Sequence, residues 1–97
     1  MLQSILDERR RGKVEIIAEI LVTARKPAKK TQIMYECNLG FKQLEYYLGF
    51  MMLKGLIRRN EEAGTVAYQT TKAGKSYLRR YRSMARWLQK AQSTPAE

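Results

Sequence analysis

Between Thr31 and Thr71 the chain places two helical segments split by Asn38-Leu39-Gly40, then the triplet Gly55-Leu56-Ile57, then two β-prone segments around Glu61-Glu62-Ala63-Gly64. That order leaves few folds open. Helix, tight turn, helix and hairpin in succession make the ground plan of a winged helix-turn-helix, an α+β, mainly α fold. Such a fold sets one helix and one β-turn side by side, at the spacing of a nucleic-acid groove.

Each element has its own local signal. Lys13 to Arg25 predicts a first helix, with Val14, Ile17, Leu21 and Ala24 in one apolar stripe that Ile16 and Ile20 widen. Arg25 and Lys26 suit its C-terminal dipole, and Pro27 stops it. Thr31 to Cys37 predicts a short second helix with Thr31 as N-cap and Ile33, Met34 and Cys37 pointing inward. Leu39 plugs the core in the turn, and Gly40 caps a third helix over Phe41 to Lys54. The third helix buries Leu44, Tyr47, Leu48 and Met51 and leaves Lys42, Gln43, Tyr46 and Gly49 on the other side. Gly55 is placed for left-handed C′ geometry. Leu56-Ile57 open a strand, Glu61 to Gly64 turn the chain, and the β-branched and aromatic run Thr65 to Thr70 returns it as a wing.

Thr71 caps a last helix extending to about Gln92. Gly74, Tyr77, Tyr81, Met84, Leu88 and Ala91 recur there at alternating steps of 3 and 4, an a/d seam of more than two heptads, with Leu78 and Trp87 at its flanks. One small domain covers only the first turns, so Met84, Trp87 and Leu88 would stay wet unless a second copy of the helix covered them. A homodimer is expected, its interface made by Tyr77, Tyr81, Met84, Trp87, Leu88 and Ala91. The heptads alone do not separate parallel from antiparallel pairing, because no acid occupies an e or g position. The expected organisation is a basic N-terminal arm over 1–12, the winged domain over 13–70, the dimerisation helix over 71–92 and a flexible tail over 93–97.

Several chemistries find no residues to carry them. The 97 residues include no histidine and one aspartate, Asp7, so no tunable base stands beside a nucleophile. One cysteine, Cys37, makes neither a disulfide nor a zinc site and fits a reducing cytoplasm. The glycines form no phosphate-cradling pattern. No apolar run approaches a membrane span, and no secretory signal opens the chain. An enzyme, a cofactor, a metal and a small-molecule ligand are therefore not expected. The charge points elsewhere. It is +10 overall, and the seven Lys and Arg between Ala63 and Ala96 meet no acid. Such a field favours a polyanion.

Gly12-Lys13-Val14-Glu15-Ile16-Ile17, Ala28-Lys29-Lys30-Thr31-Gln32-Ile33-Met34-Tyr35, Asn38-Leu39, Tyr47-Leu48 through Gly55-Leu56-Ile57, and Thr71-Lys72-Ala73-Gly74 carry a resemblance. The chain, from about Gly12 to Leu88, resembles the small archaeal winged-helix DNA-binding proteins of about ten kilodaltons, the ten-a chromatin proteins. The Lys-Thr-x-Ile-Met-Tyr run is its most specific part. The resemblance implies a dimer joined by an antiparallel coiled coil of C-terminal helices, and sequence-tolerant DNA binding in chromatin or transcription, hence a nucleoid-associated cytoplasmic protein. The sequence departs from a strongly basic reading surface at Glu45 and at the acidic wing tip, Glu61-Glu62.

The expected duplex contacts are Lys29, Lys30 and Thr31 on phosphates at the start of the second helix, Lys42, Gln43 and Tyr46 in the major groove, and Arg58 and Arg59 on the wing. Strand alternation sends those two arginines to opposite faces, so one of them reaches the nucleic acid. The second reading keeps fold and dimer but docks a protein on Tyr46, Phe50 and Leu53, with RNA as a variant. A membrane-surface role for the last helix ranks behind both.

Overall fold

The computed structural model describes residues 11–93, with side chains as far as Gln89. Helix α1 (Lys13–Thr23), α2 (Lys30–Glu36) and α3 (Phe41–Leu53) precede strands β1 (Ile57–Glu62) and β2 (Thr65–Thr70), and α4 (Lys72–Ser93) closes the order. Met1 to Arg10 of the expected arm, residues 94–97 of the tail and the side chain of Ala91 lie outside the described residues.

The core sits where α1 crosses α2, α3 and the wing. Ile20, Leu21, Ile33, Leu44, Leu48 and Met51 are fully buried there, joined by Leu39, Ile57, Tyr68 and Leu78. Val14 departs from the expected stripe. It is 44% exposed, because the first turn of α1 overhangs the core toward α4. Its carbonyl accepts a hydrogen bond from Tyr77 Oη at 2.9 Å. Helix α1 ends at Thr23, so Arg25 and Lys26 lie beyond its last turn and not in it.

Two Schellman motifs set the angles at which α3 enters and leaves. At the end of α2, Leu39 N donates to Met34 O at 3.0 Å and Asn38 N to Tyr35 O at 3.3 Å, with Asn38 at φ +54°. At the end of α3, Leu56 N donates to Met51 O at 2.9 Å and Gly55 N to Met52 O at 3.0 Å, with Gly55 at φ +75°. Asn and Gly are the residues that tolerate this left-handed position.

The wing is a single antiparallel pair with Ile57 opposite Thr70 and Glu62 opposite Thr65. Its turn is shorter than expected. Glu61 and Glu62 complete β1, and Ala63 and Gly64 alone form the loop at φ +51° and +79°. Two successive left-handed residues make a type I′ turn, the twist-matched two-residue hairpin. The loop after α1 adds a one-residue bridge, Ala28 with Tyr68, through bonds of 2.9 and 2.8 Å.

The base of the wing also aims α4. Thr70 Oγ1 donates to Leu21 O at 2.7 Å, and Thr71 Oγ1 donates to Gly55 O at 2.6 Å while accepting from Gly74 N at 3.1 Å. Thr71 is therefore the expected N-cap. Gly74 is not part of an open seam. It is buried against its own domain, where an added Cβ would stand 2.3 Å from Leu56 O and 2.6 Å from Thr70 Cγ2. Leu78 likewise packs into the domain core and does not flank the open face.

Candidate nucleic-acid interface

Helix α3 presents a broad outer face, because only Leu44, Tyr47, Leu48 and Met51 turn inward. At 100° per residue, Lys42, Gly49 and Leu53 lie along the middle of that face. All three are exposed, Leu53 at 83%. Glu45 borders one side of the stripe and Tyr46 and Phe50 border the other. Gln43 is exposed near the N-terminus, where its Oε1 accepts from Gly40 N at 3.4 Å. That contact closes the third helix's first turn and leaves the amide Nε2 free to donate outward.

Both borders of the stripe hold a cation. Lys30 Nζ, at the start of α2, forms an ion pair with Glu45 Oε2 and lies 5.6 Å from the Phe41 ring centroid. The hydrogen bond to Glu45 holds the Lys30 ammonium above its usual pKa. On the opposite border, Lys13 Nζ donates to Tyr46 Oη at 2.8 Å and lies 4.6 Å from the Phe50 ring centroid. That hydrogen bond likewise raises Lys13. Phe50 stacks on Tyr46, and Lys54 Nζ lies 5.6 Å from the Phe50 ring centroid. Lys13 and Lys54 are surface cations that the sequence reading did not assign. Lys13 lies 33 positions from Tyr46, so no local spacing announces the pair.

Helix α2 starts one residue earlier than its sequence implies. Lys29 is the N-cap, extended at φ −78° and ψ 157°, and Thr31 stands inside the first turn without a capping bond. Lys29 and Thr31 are exposed; Lys30 is half-buried and held by Glu45. The wing arginines separate as strand alternation requires. Arg59 pairs across the ladder with buried Tyr68, on the side facing the helices, and its charge opposes that of Lys30. Arg58 lies on the outer side, where its Nη2 donates to Gln69 Oε1 at 3.2 Å. Arg59 and Lys30 thus join the α2–α3 surface, and Arg58 does not.

The wing tip carries its own neutralisation. Arg59 Nη1 lies 3.5 Å from Glu61 Oε1. Near the domain's other end, Arg11 Nη1 pairs with Glu19 Oε1 at 2.9 Å and Arg11 Nη2 donates to Asn38 O at 3.4 Å. Arg11, the last cation of the expected arm, is thereby tied to α1 and to the α2–α3 turn.

A second open surface runs along α4. Tyr77 and Tyr81 pack partly on the core, and beyond them Met84, Trp87 and Leu88 are exposed, Trp87 at 67%. With Val14 and Arg80, the residues Tyr77, Tyr81 and Met84 line an apolar groove of about 270 Å³. Burial raises the Tyr77 phenol, and burial also raises the Cys37 thiol, whose Sγ lies 3.6 Å from Thr23 Oγ1.

This architecture can be set beside known proteins. The winged helix-turn-helix family model matches residues 10–89. The chain belongs to the winged helix-turn-helix family. Two uncharacterized proteins of Methanocaldococcus jannaschii are relatives, one 37% identical over 65 residues and the other 33% identical over 67. Those matches cover 66% and 68% of this chain, but 31% and 65% of the relatives, so the chain spans less than two thirds of either. Among solved structures, the DNA-binding protein Sso10a-2 from Sulfolobus solfataricus superposes with a TM-score of 0.78 at 20% identity, over 86% of this chain and 87% of that one. The transcriptional regulator BldR from the same organism gives 0.76 at 17% identity, over 99% and 82%. FabT of Streptococcus pneumoniae, solved in complex with DNA, gives 0.65 at 19%, over 99% and 80%. At such identities the likeness is one of fold. Together, the family match, the two archaeal relatives and this shared fold bear out the resemblance to small archaeal winged-helix proteins.

Proposed function

We propose that this winged helix-turn-helix chain is a non-catalytic duplex-DNA-binding protein of the nucleoid, acting in transcription or chromatin as a homodimer. One observation carries the reading. The middle of the outer face of α3, with Lys42 and Gly49, lies open between borders at which Lys30 and Lys13 are held. Gly49 removes a side chain from that stripe, so a duplex backbone can approach the helix closely. Lys42 and the Gln43 amide are the groups that reach base edges or phosphates, and Lys29, Thr31 and Arg59 position the backbone. Lys30 serves by exchanging Glu45 for a phosphate, which lowers its contribution. Tyr46 supports the face through its bond from Lys13. Sso10a-2 and FabT, which share the fold, are described as DNA-binding or DNA-bound.

The exposed apolar seam of α4 supports the dimer. Burying Met84, Trp87 and Leu88 against a second copy contributes about 2 kcal/mol each before entropy losses. Val14 and the two tyrosines extend that surface. Among the described residues no helix is long and apolar enough to cross a membrane.

The direct test is a gel shift with duplex DNA and with single-stranded RNA, using wild type and a Lys42→Glu, Arg59→Glu variant. The expected result is tight duplex binding that the variant loses by at least about tenfold. Undiminished duplex binding in the variant would remove α3 and the wing as the reading surface. Loss of RNA binding alone would reassign the surface to RNA.

A further inference from the structure

The cations of α4 are arranged unlike those of the winged domain. Lys72, Lys75, Arg79, Arg82 and Arg86 follow one another at steps of 3, 4, 3 and 4, and all five are exposed. At 100° per residue they occupy a sector about 80° wide. That sector is centred opposite Tyr77, Met84 and Leu88, so pairing through the apolar face leaves it outward. Along the axis the five span about 21 Å, one charge per roughly 5 Å.

These charges are also unspent. Among the described residues the ion pairs are Arg11–Glu19, Lys30–Glu45 and Arg59–Glu61, and none involves α4. Helix α4 contains no acid at all. A face kept only for solubility mixes signs, because like charges at i, i+3 and i, i+4 repel. Here every such neighbour within the sector is a like charge. The two-sign surface lies on the winged domain and the single-sign surface on the long helix.

We propose that the outer face of α4, formed by Lys72, Lys75, Arg79, Arg82 and Arg86, is a second phosphate-binding surface for duplex DNA; the inference rests on the DNA-binding reading above. A duplex strand offers one phosphate per about 3.4 Å of axis, so a row of cations about 5 Å apart has several phosphates within reach where it crosses a backbone. Arginine dominates its outer half, and the guanidinium fork suits phosphate oxygens. A membrane is the poorer occupant. A helix lying on lipid buries its apolar face, and that would aim this sector away from the headgroups.

The test compares full-length variants by duplex affinity across salt concentrations. Arg79→Gln, Arg82→Gln, Arg86→Gln together should make the log affinity against log salt shallower by about 2 to 3 per chain engaged. Affinity at low salt should fall at least about tenfold. Arg79→Lys, Arg82→Lys, Arg86→Lys should retain the wild-type slope. Lys72→Gln with Lys75→Gln, two positions remote from Met84 and Leu88, should shift the slope by about 1 to 2 and leave the mass in solution unchanged. Wild-type slopes in both Gln variants would overturn the α4 surface while leaving α3 and the wing in place. An equal loss in the lysine variant would overturn it too, since charge would not be the cause. Loss of binding to anionic vesicles with an unchanged duplex slope would assign the face to membranes instead. A wild type that binds no duplex would defeat the underlying reading and this inference with it.

Discussion

Two glycines in helices show how differently one residue type is used. Gly74 is pressed against the carbonyl of Leu56, a backbone atom that cannot swing aside. Gly74→Ala should therefore cost about 1 to 3 kcal/mol in urea unfolding, by forcing α4 off the wing base. Gly49, in the middle of α3, has open space around it, so Gly49→Ala should stabilise by about 0.5 to 1 kcal/mol. It should weaken duplex binding at the same time, because it places a methyl on the approach face. Cys37 gives a pH signature. Burial raises its thiol, so the unfolded chain releases that proton first as pH rises. The native state then holds the extra proton, and stability falls as pH climbs past the ordinary thiol range. Between about pH 7 and about pH 9.5 the wild type should lose more stability than Cys37→Ala, as read from urea midpoints.

At the scale of elements, the wing tip and α4 make separate predictions. Ala63 holds φ +51°, a left-handed position that costs a Cβ-bearing residue about 1 kcal/mol. Ala63→Asn creates the Asn-Gly pair this turn prefers, and should raise the thermal midpoint by about 4 to 8 °C. In α4, Met84→Ser with Leu88→Ser leaves the core untouched, since both side chains point away from it. That variant should sediment as a monomer at concentrations where wild type is a dimer, with the winged domain still folded. A wild-type mass for the variant would exclude the α4 seam.

The same elements show what the sequence makes legible. Thr71, Gly55 and Gly40 announce helix ends because caps and left-handed stops are local chemistry. The inward sets of α1 and α3 follow from period alone. What escapes local reading is set by tertiary contact. The Ala28–Tyr68 bridge is one residue long and has no alternation to detect. Val14 fits the stripe of α1 but overhangs the core, and Leu78 and Gly74 fit the α4 seam yet serve their own domain. At the interface, composition marks Lys30, Tyr46 and Arg59, but only geometry reveals that Glu45 holds Lys30, that Lys13 holds Tyr46, and that Arg59 is the wing arginine beside the helices.

At the scale of the whole molecule, charge is divided between two kinds of surface. The winged domain carries mixed signs, with Glu19, Glu45 and Glu61 each holding a cation. The long helix carries one sign only. In the proposed dimer this would place two α3 helices on a frame whose outer faces are uniformly basic. On the proposed function, much of the free energy of binding then comes from releasing counterions from phosphates, and less from reading bases. The most direct check is a salt titration of affinity for a random-sequence duplex. If the two winged domains of a dimer neutralise about 6 to 8 phosphates, log affinity falls against log salt with a slope of roughly −5 to −7, and phosphate contacts by α4 make it steeper still. A slope near zero, or no binding at low ionic strength, would contradict the account.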